Sequence, residues 1–504
     1  MGNCNSSSRQ TLTAKMSHIP FERDNNGNTS QELEFQRDDD LRLLRIHNDH
    51  FFYMKNLRTK KKGNVLINMV GKKNTFEMEP WFFGRIDQVR SSEFLLHPVN
   101  IQGSFLARNS ESEEMDYTLV VKNYCYKQEE FEILKYKINF NNGKFFVSTK
   151  QKFESLPDLI NAFQEGIQRG IACQLTTPCQ IVRDANIGLV AINRWELPRN
   201  EIEFGRKIGS GHFGTVHMGV WRGSVAVAIK ALKSDSDLAK EMKAFFEEIR
   251  ILQSINHPNL VQIYGVCTDN HPFLMITELL DHGDLLNLLR SDEEHSLFDF
   301  DDLLRISLDI TNGMCAVSKK GIVHRDIAAR NILIDKWYRA KVGDFGMSCD
   351  TDYVGVGGTD RVLPIKWTAP ECVKRRIFTT KSDVWSFGIV LWETFSYGES
   401  PYATIEPSKI IKKVNIGYRL DIPKMPMSSN DREEDQRHKE KIYKIMLLCW
   451  CKLPEERPSF IELRQLLKDF KNVSDEKLNY DYADYERRNG YQKNKKTKKK
   501  HRFT

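Results

Sequence analysis

Apolar and polar positions change their period along this chain. Between residues 31 and 79, short apolar pieces (DDDLRLL, FFYMKNL, GNVLINMV) are cut by charge and by Gly-Asn. They predict the short strands of a small β unit. From Trp81 a helical stretch leads into GSFLARNS, YTLVVKNY, ILKYKINF and KFFVST. Alternating apolar residues there, with turns such as Asn142-Gly143, predict strands. Leu156 to Glu165 returns to the helical period. Residues 181–201 read as a linker carrying Trp195 and Pro198. Residues 202–232 open a β-rich segment, and helical periodicity then dominates to about Phe470. Residues 424–440 are almost wholly polar and predict a solvated loop.

Composition narrows the class. The 504 residues are 40% apolar and 28% charged, which fits a soluble chain of several domains. The formal net charge is +7, yet Arg487 to Thr504 alone holds nine lysines and arginines and no acid. The remainder carries −2, so the body lacks the field that nucleic acid would demand. Ten cysteines without a CxxC pair exclude a disulfide scaffold or a zinc ribbon. The start, MGNCNSSS, places Gly2 after Met1 and Ser6 four residues on, the pattern for N-myristoylation, with Cys4 open to palmitate. Two lipid signals give stable anchoring where one does not. Residues 1–30, rich in Asn, Ser and Thr, are expected to be disordered. The basic end of the 471–504 tail adds attraction to an anionic inner leaflet. The tail also holds Tyr480, Tyr482 and Tyr485 among acids.

The chemistry concentrates in the last three-fifths. Ile208, Gly209, Ser210, Gly211, His212, Phe213, Gly214, Thr215 and Val216 form a glycine-rich run between two strand-like segments. Glycine lets backbone approach phosphate oxygens. A Rossmann turn would open a helix here, whereas the sequence continues as strand. VAIK ends at Lys230, whose amine suits α- and β-phosphates, and Glu248 on the following helix is the candidate carboxylate partner. HRDIAARN supplies His324, Asp326, Arg330 and Asn331, and DFG follows at Asp344, eighteen residues beyond Asp326. One carboxylate can accept the proton of an attacking hydroxyl, while an amide and another carboxylate hold Mg²⁺ (or Mn²⁺) on phosphates. APE at Glu371, SDVWSFG at Asp383 and PEERP at Arg457 complete six strings in order.

Residues 202–470 therefore resemble a protein kinase, and AARN together with PIKWTAPE is the tyrosine-kinase form. The resemblance implies a bilobal α+β fold using ATP. It implies Asp326 as base with Arg330 beside it, Lys230–Glu248 as the activating pair, and Asn331 and Asp344 as metal ligands. Thr277 falls on the gatekeeper position, and Glu278, Leu279 and Leu280 on the hinge to adenine. Leu252, Ile263, His324 and Phe345 match a hydrophobic spine. Tyr353, between DFG and APE, matches the autophosphorylation site; a second arginine common in relatives is Cys349 here.

Residues 81–180 resemble a Src-homology 2 (SH2) domain, an α/β sandwich. Arg108 matches its phosphotyrosine arginine, and Ser110 and Ser112 its phosphate loop. Gln88 and Lys135 replace the family's arginine and histidine. Residues 31–79 resemble a divergent Src-homology 3 (SH3) β barrel. Its paired tryptophans fall on Phe51 and Phe52, and its last-motif proline and tyrosine on Leu66 and Met69, so binding of Pro-rich ligands is expected to be weak or lost. The whole resembles the Src-like cytoplasmic tyrosine kinases, with features of the Abl, Tec and Frk/Brk branches. Expected partners are phosphotyrosine-containing proteins, protein tyrosine substrates and the inner leaflet of the plasma membrane. The competing reading is a pseudokinase scaffold working through SH2; intact Lys230, Asp326, Asn331 and Asp344 stand against it.

Overall fold

The computed structural model describes residues 11–15, 33–46, 51–66, 69–110, 117–166, 170–180, 195–211, 214–222, 225–232, 238–291, 298–350, 363–424 and 432–470. They fall into two compact units. The first comprises residues up to 209 together with 216–230 and 262–278; the second comprises 210–215, 231–261 and the chain from 279.

The first unit opens with a five-stranded sheet: β1 (Thr11–Ala14), β2 (Asp40–Ile46), β3 (Phe51–Asn56), β4 (Lys62–Leu66) and β5 (Val70–Gly71), in the order β4-β3-β2-β1-β5. One face packs Leu12, Ala14, Leu41, Leu43, Met54 and Val65 into a core. The sheet thus begins twenty residues before the expected start at residue 31. Strand β1 lies inside the stretch expected to be disordered, paired with β2 from Thr11 opposite Arg42 to Thr13 opposite Asp40. Its four residues hold too little pattern to stand out among polar neighbours, and pairing on both sides supplies what the local sequence does not. Phe52 and Met69 are partly buried and pack against this core.

Lys15 follows β1 and is buried; its Nζ donates to the Phe82 carbonyl at 2.8 Å. Burial lowers its pKa to about 8, against the pull of Glu77 and Glu79. This bond joins the barrel to the next layer. There, α1 (Gln88–Leu96) precedes a four-stranded antiparallel sheet of β6 (Phe105–Asn109), β7 (Tyr117–Cys125), β8 (Glu130–Asn141) and β9 (Lys144–Phe146), and α2 (Leu156–Gln164) follows it. The β8–β9 turn uses Asn142 and Gly143, both at positive φ (52° and 75°), as the sequence predicts. Trp81, Phe105, Leu119, Ile138, Leu159 and Phe163 share one core.

A second five-stranded sheet has β10 (Ile202–Gly211), β11 (Gly214–Trp221), β12 (Val225–Leu232), β13 (Ile263–Cys267) and β14 (Leu274–Glu278), in the order β10-β11-β12-β14-β13. The linker end docks on it. Leu197 N donates to the Val266 carbonyl at 2.7 Å, and the Glu196 carboxylate accepts from Thr268 N and Oγ1.

The second unit is mainly helical. It carries α3 (Leu238–Ser254), α4 (Leu285–Arg290), α5 (Phe300–Lys319), α6 (Pro370–Arg375), α7 (Thr380–Phe395), α8 (Pro407–Asn415), α9 (Arg432–Cys449) and α10 (Phe460–Lys468). Two small ladders, β15 (Ile322–Val323) with β18 (Cys349–Asp350) and β16 (Ile332–Ile334) with β17 (Ala340–Val342), frame the catalytic segments. Helix α9 corrects the loop expected over 424–440, since it is helical from Arg432. Glu, Gln, Lys and Arg are strong helix formers without any apolar face. Its C-terminal half buries Ile442, Ile445 and Met446, and His438 stacks on Phe300 at 4.8 Å.

His257 links α3 to β17. It is buried, its Nδ1 accepts from Asn259 N at 3.0 Å, and Asn259 Nδ2 donates to the Ala340 carbonyl at 3.0 Å. Burial, with Lys341 and Arg464 nearby, lowers its pKa from 6.5 to about 3. Below pH 6.5 the unfolded chain binds this proton while the fold refuses it, so stability is lost as pH falls from 6.5 towards 3. The slope from this one group reaches about 1.4 kcal/mol per pH unit. Urea unfolding across that window is expected to show a shallower slope for His257→Asn than for the parent. Equal slopes would assign the acid sensitivity elsewhere.

Candidate active site

The Asp326 carboxylate is the hub of the second unit. Oδ1 accepts from Arg330 Nη2 at 2.5 Å, and Oδ2 from Asn331 Nδ2 at 2.8 Å. Asn331 Nδ2 also reaches the Asp326 carbonyl at 2.7 Å. The amide nitrogen is thereby committed, and the amide oxygen is the end left to meet a cation. Arg330 lies over the Trp367 ring at 4.5 Å. Trp367 Nε1 donates to Glu393 Oε2 at 2.9 Å, and the same oxygen accepts from Ala329 N at 3.0 Å. Burial raises the Glu393 pKa. Glu393 and Trp367 thus hold Arg330, and Arg330 holds Asp326.

A second support lies beneath. Asp383 on α7 accepts from His324 N at 2.7 Å and Arg325 N at 2.9 Å. Burial pushes its pKa up to about 7, against those two donors. The His324 side chain is within 3.0 Å of the Gly343 carbonyl and packs on Phe345 at 4.7 Å. Burial lowers the His324 pKa, so the ring is neutral. Arg325 and Asp344 both sit at positive φ (69° and 55°). Non-glycine residues occupy that region at a cost, and such strain gathers at functional sites. The Asp344 side chain is exposed while its neighbour Phe345 is buried. The exposed Asp344 carboxylate and the Asn331 amide oxygen are hard donors that fit a hard divalent cation.

The residues expected to bind nucleotide lie in both units, each described in its own. Ile208, Gly209 and Ser210 end β10, and Gly214, Thr215 and Val216 open β11. A Cβ on Gly214 would lie 1.7 Å from the Ala231 carbonyl oxygen, so only glycine fits. Lys230 on β12 is half-buried in the first unit, and Glu248 on α3 is buried in the second. Thr277 and Glu278 end β14; Glu278 Oε1 accepts from Gln262 N at 2.8 Å, which occupies its side chain within the sheet, and Leu280 is buried just beyond. Gly211 closes β10. His212, Phe213, Ser112, Tyr353, Gly2 and Cys4 lie outside the described residues.

Of the residues expected to meet phosphotyrosine, Arg108 and Lys135 share one sheet face. Arg108 is buried on β6 and pairs across to Thr118, which pairs in turn with Lys137 on β8. Lys135 lies two residues earlier on the same face and, like Lys137, is exposed. Arg108 Nη1 donates to the Asn109 carbonyl at 3.2 Å. Ser110 is half-buried just past β6, and Gln88, the first residue of α1, is exposed. Sequence reasoning missed Lys137. Its signal was the period of two from Lys135, which puts a second cation on Arg108's own row. Sequence reasoning likewise gave no role to Glu393, whose string carries no motif.

Residues 202–467 match the family model for protein tyrosine and serine/threonine kinases, and residues 81–163 match the SH2 domain model. The chain is similar to tyrosine protein-kinase src-1 of Caenorhabditis elegans, 35% identical over 87% of this chain and 81% of that protein. It is similar to human tyrosine-protein kinase FRK, 32% identical over 88% of this chain and 86% of the relative. It is similar as well to Src64B of Drosophila melanogaster, 33% identical over 88% and 78%. No helix among the described residues is long and apolar enough to cross a membrane. The chain belongs to the non-receptor tyrosine kinases of Src type, in which an SH2 domain precedes a kinase that transfers phosphate from ATP to protein tyrosines with a divalent metal.

Proposed function

We propose that this kinase is brought to phosphotyrosine-bearing proteins through Arg108 and held at the inner leaflet by lipids on Gly2 and Cys4. The observation that carries the targeting is the face shared by Arg108, Lys135 and Lys137. A phosphotyrosine adds a charge of about −2, and a guanidinium meets two of its oxygens at once. The lysines compensate for the family arginine replaced by Gln88. The anchoring reading is supported by the opening residues and by the basic stretch Arg487–Thr504.

Within the kinase, Asp326 takes the proton of the substrate hydroxyl, and Arg330 fixes the carboxylate that receives it. Asn331 and Asp344 would hold Mg²⁺, which neutralises phosphate charge when bound. Lys230 steadies the phosphates, the glycine-rich run from Ile208 to Val216 covers them, and Thr277 to Leu280 receives adenine. Tyr353 is the autophosphorylation site. With Cys349 replacing the second arginine, its phosphate relies on Arg325.

Arg108→Leu in the full-length protein tests the targeting. Fluorescence anisotropy with a phosphotyrosine peptide is expected to show affinity reduced at least about 30-fold, the loss when one partner of a buried charge pair is truncated. Activity on a soluble unphosphorylated peptide should be retained. Unchanged phosphopeptide affinity would remove Arg108 from the pocket.

A further inference from the structure

We infer that the outer face of the N-terminal sheet is a docking surface for an anionic membrane. The register sets Thr11, Arg42, Lys55 and Lys62 in one row across β1, β2, β3 and β4. Arg45, Tyr53 and Asn64 form the next row, with the Arg45 guanidinium over the Tyr53 ring at 4.9 Å. Arg42, Arg45 and Lys62 are exposed and Lys55 is half-buried. The opposite face is the apolar core, so these side chains point away from it.

Three like charges directly opposite one another on adjacent strands, about 4.8 Å apart, destabilise a sheet. Among the described residues, the nearby acids are engaged with other groups. Asp39 takes Arg58 at 2.6 Å, Glu34 takes Lys61 at 2.9 Å, and Asp40, at the end of the face, accepts from the Thr13 hydroxyl at 3.0 Å. An anionic surface relieves the repulsion, with each cation near it contributing ~1 kcal/mol.

The position of β1 selects the occupant. Gly2 is nine residues from Thr11, and Thr11 heads the basic row. Nine residues span at most ~30 Å, so a lipid on Gly2 keeps this face close to the leaflet. A single myristoyl chain binds marginally and needs a second signal; the face supplies one that folds with the barrel. This orientation rests on the proposed lipidation at Gly2, whereas the charge of the face does not.

The test uses full-length protein without lipid, with the nine basic residues of 487–504 changed to glutamine in every sample. Sedimentation with phosphatidylcholine vesicles, with and without phosphatidylserine, compares this parent with Arg42→Gln/Lys55→Gln/Lys62→Gln. Binding that requires phosphatidylserine is expected, lower by on the order of 100-fold in the triple variant. The charge-conserving Arg42→Lys/Lys55→Arg/Lys62→Arg should retain it. Equal binding by parent and triple variant, or no dependence on phosphatidylserine, overturns the inference. So does binding to soluble polyglutamate with none to vesicles, which would assign the face to an acidic protein. Mass spectrometry of protein co-expressed with an N-myristoyltransferase reads the anchor separately. A missing lipid sinks the anchor and leaves the vesicle result standing, and a lipidated chain with an inert face does the reverse.

Discussion

Asp326→Asn is expected to lower tyrosine phosphorylation by roughly 10²- to 10⁴-fold, the range for removal of a general base. The geometry adds a reason beyond the lost charge. Arg330 Nη2 and Asn331 Nδ2 each donate to a different oxygen of this carboxylate. An amide offers only one acceptor oxygen, so one of the two donors would face an NH₂ group. Either Arg330 or Asn331 then turns away, and the alignment of base and metal ligand is disturbed along with the chemistry. The check is a single-turnover assay of the full-length protein with Mg-ATP and a Glu-Tyr copolymer, beside a thermal melt. A rate within tenfold of the parent, in a protein melting at the same temperature, would remove Asp326 from the proton path. Arg330→Lys should fall between the two. A lysine keeps the charge but loses the planar contact with Trp367.

The supports of Asp326 show what a sequence displays and what it conceals. The proposed ligands and the proposed base announce themselves because their chemistry demands fixed residue types at short spacings: His324, Asp326 and Asn331 in one string, Asp344 in another. Asp383 and Glu393 act through contacts about sixty residues long in sequence, to backbone N–H groups at 324, 325 and 329. The SDVWSFG string displays Asp383, whereas for Glu393 any acceptor at the right place on α7 would serve, so no spacing betrays it. The helix itself offers little pattern, since it is buried on all sides from Ser382 to Phe395. Strand β1 stayed hidden for the opposite reason. Thr11 to Ala14 is too short to show a period, and its partners Asp40 to Arg42 lie beyond a long polar stretch. The N-terminal half of α9 was masked by polarity without amphipathicity. By contrast β6 to β9 and α2 were legible, because one face of each packs into a single core and the alternation had to survive.

Arg457→Met is expected to be the most damaging single change to stability. The guanidinium is fully buried and makes a two-pronged pair with Glu371, Nη1 to Oε1 at 2.6 Å and Nη2 to Oε2 at 2.9 Å. Nε donates to the Cys451 carbonyl and Nη1 to the Lys381 carbonyl, both at 2.9 Å. The plane lies over Trp385 at 5.0 Å. Four acceptors from three segments therefore converge on one cation: the start of α6, the start of α7 and the end of α9. Methionine fills the volume but leaves the Glu371 carboxylate without its guanidinium partner in a largely dry setting. Breaking a buried pair from one side costs about 3–5 kcal/mol. For a unit of this size that corresponds to a fall in melting temperature of roughly 10 °C. Arg457→Lys should recover little, because an ammonium cannot span both carboxylate oxygens and the two carbonyls. Arg457→Met combined with Glu371→Leu should recover part of the loss, since neither charge is then stranded. Calorimetry of the four proteins separates the cases. A single variant melting within ~2 °C of the parent would mean that the pair is matched by water and does not hold the three segments together.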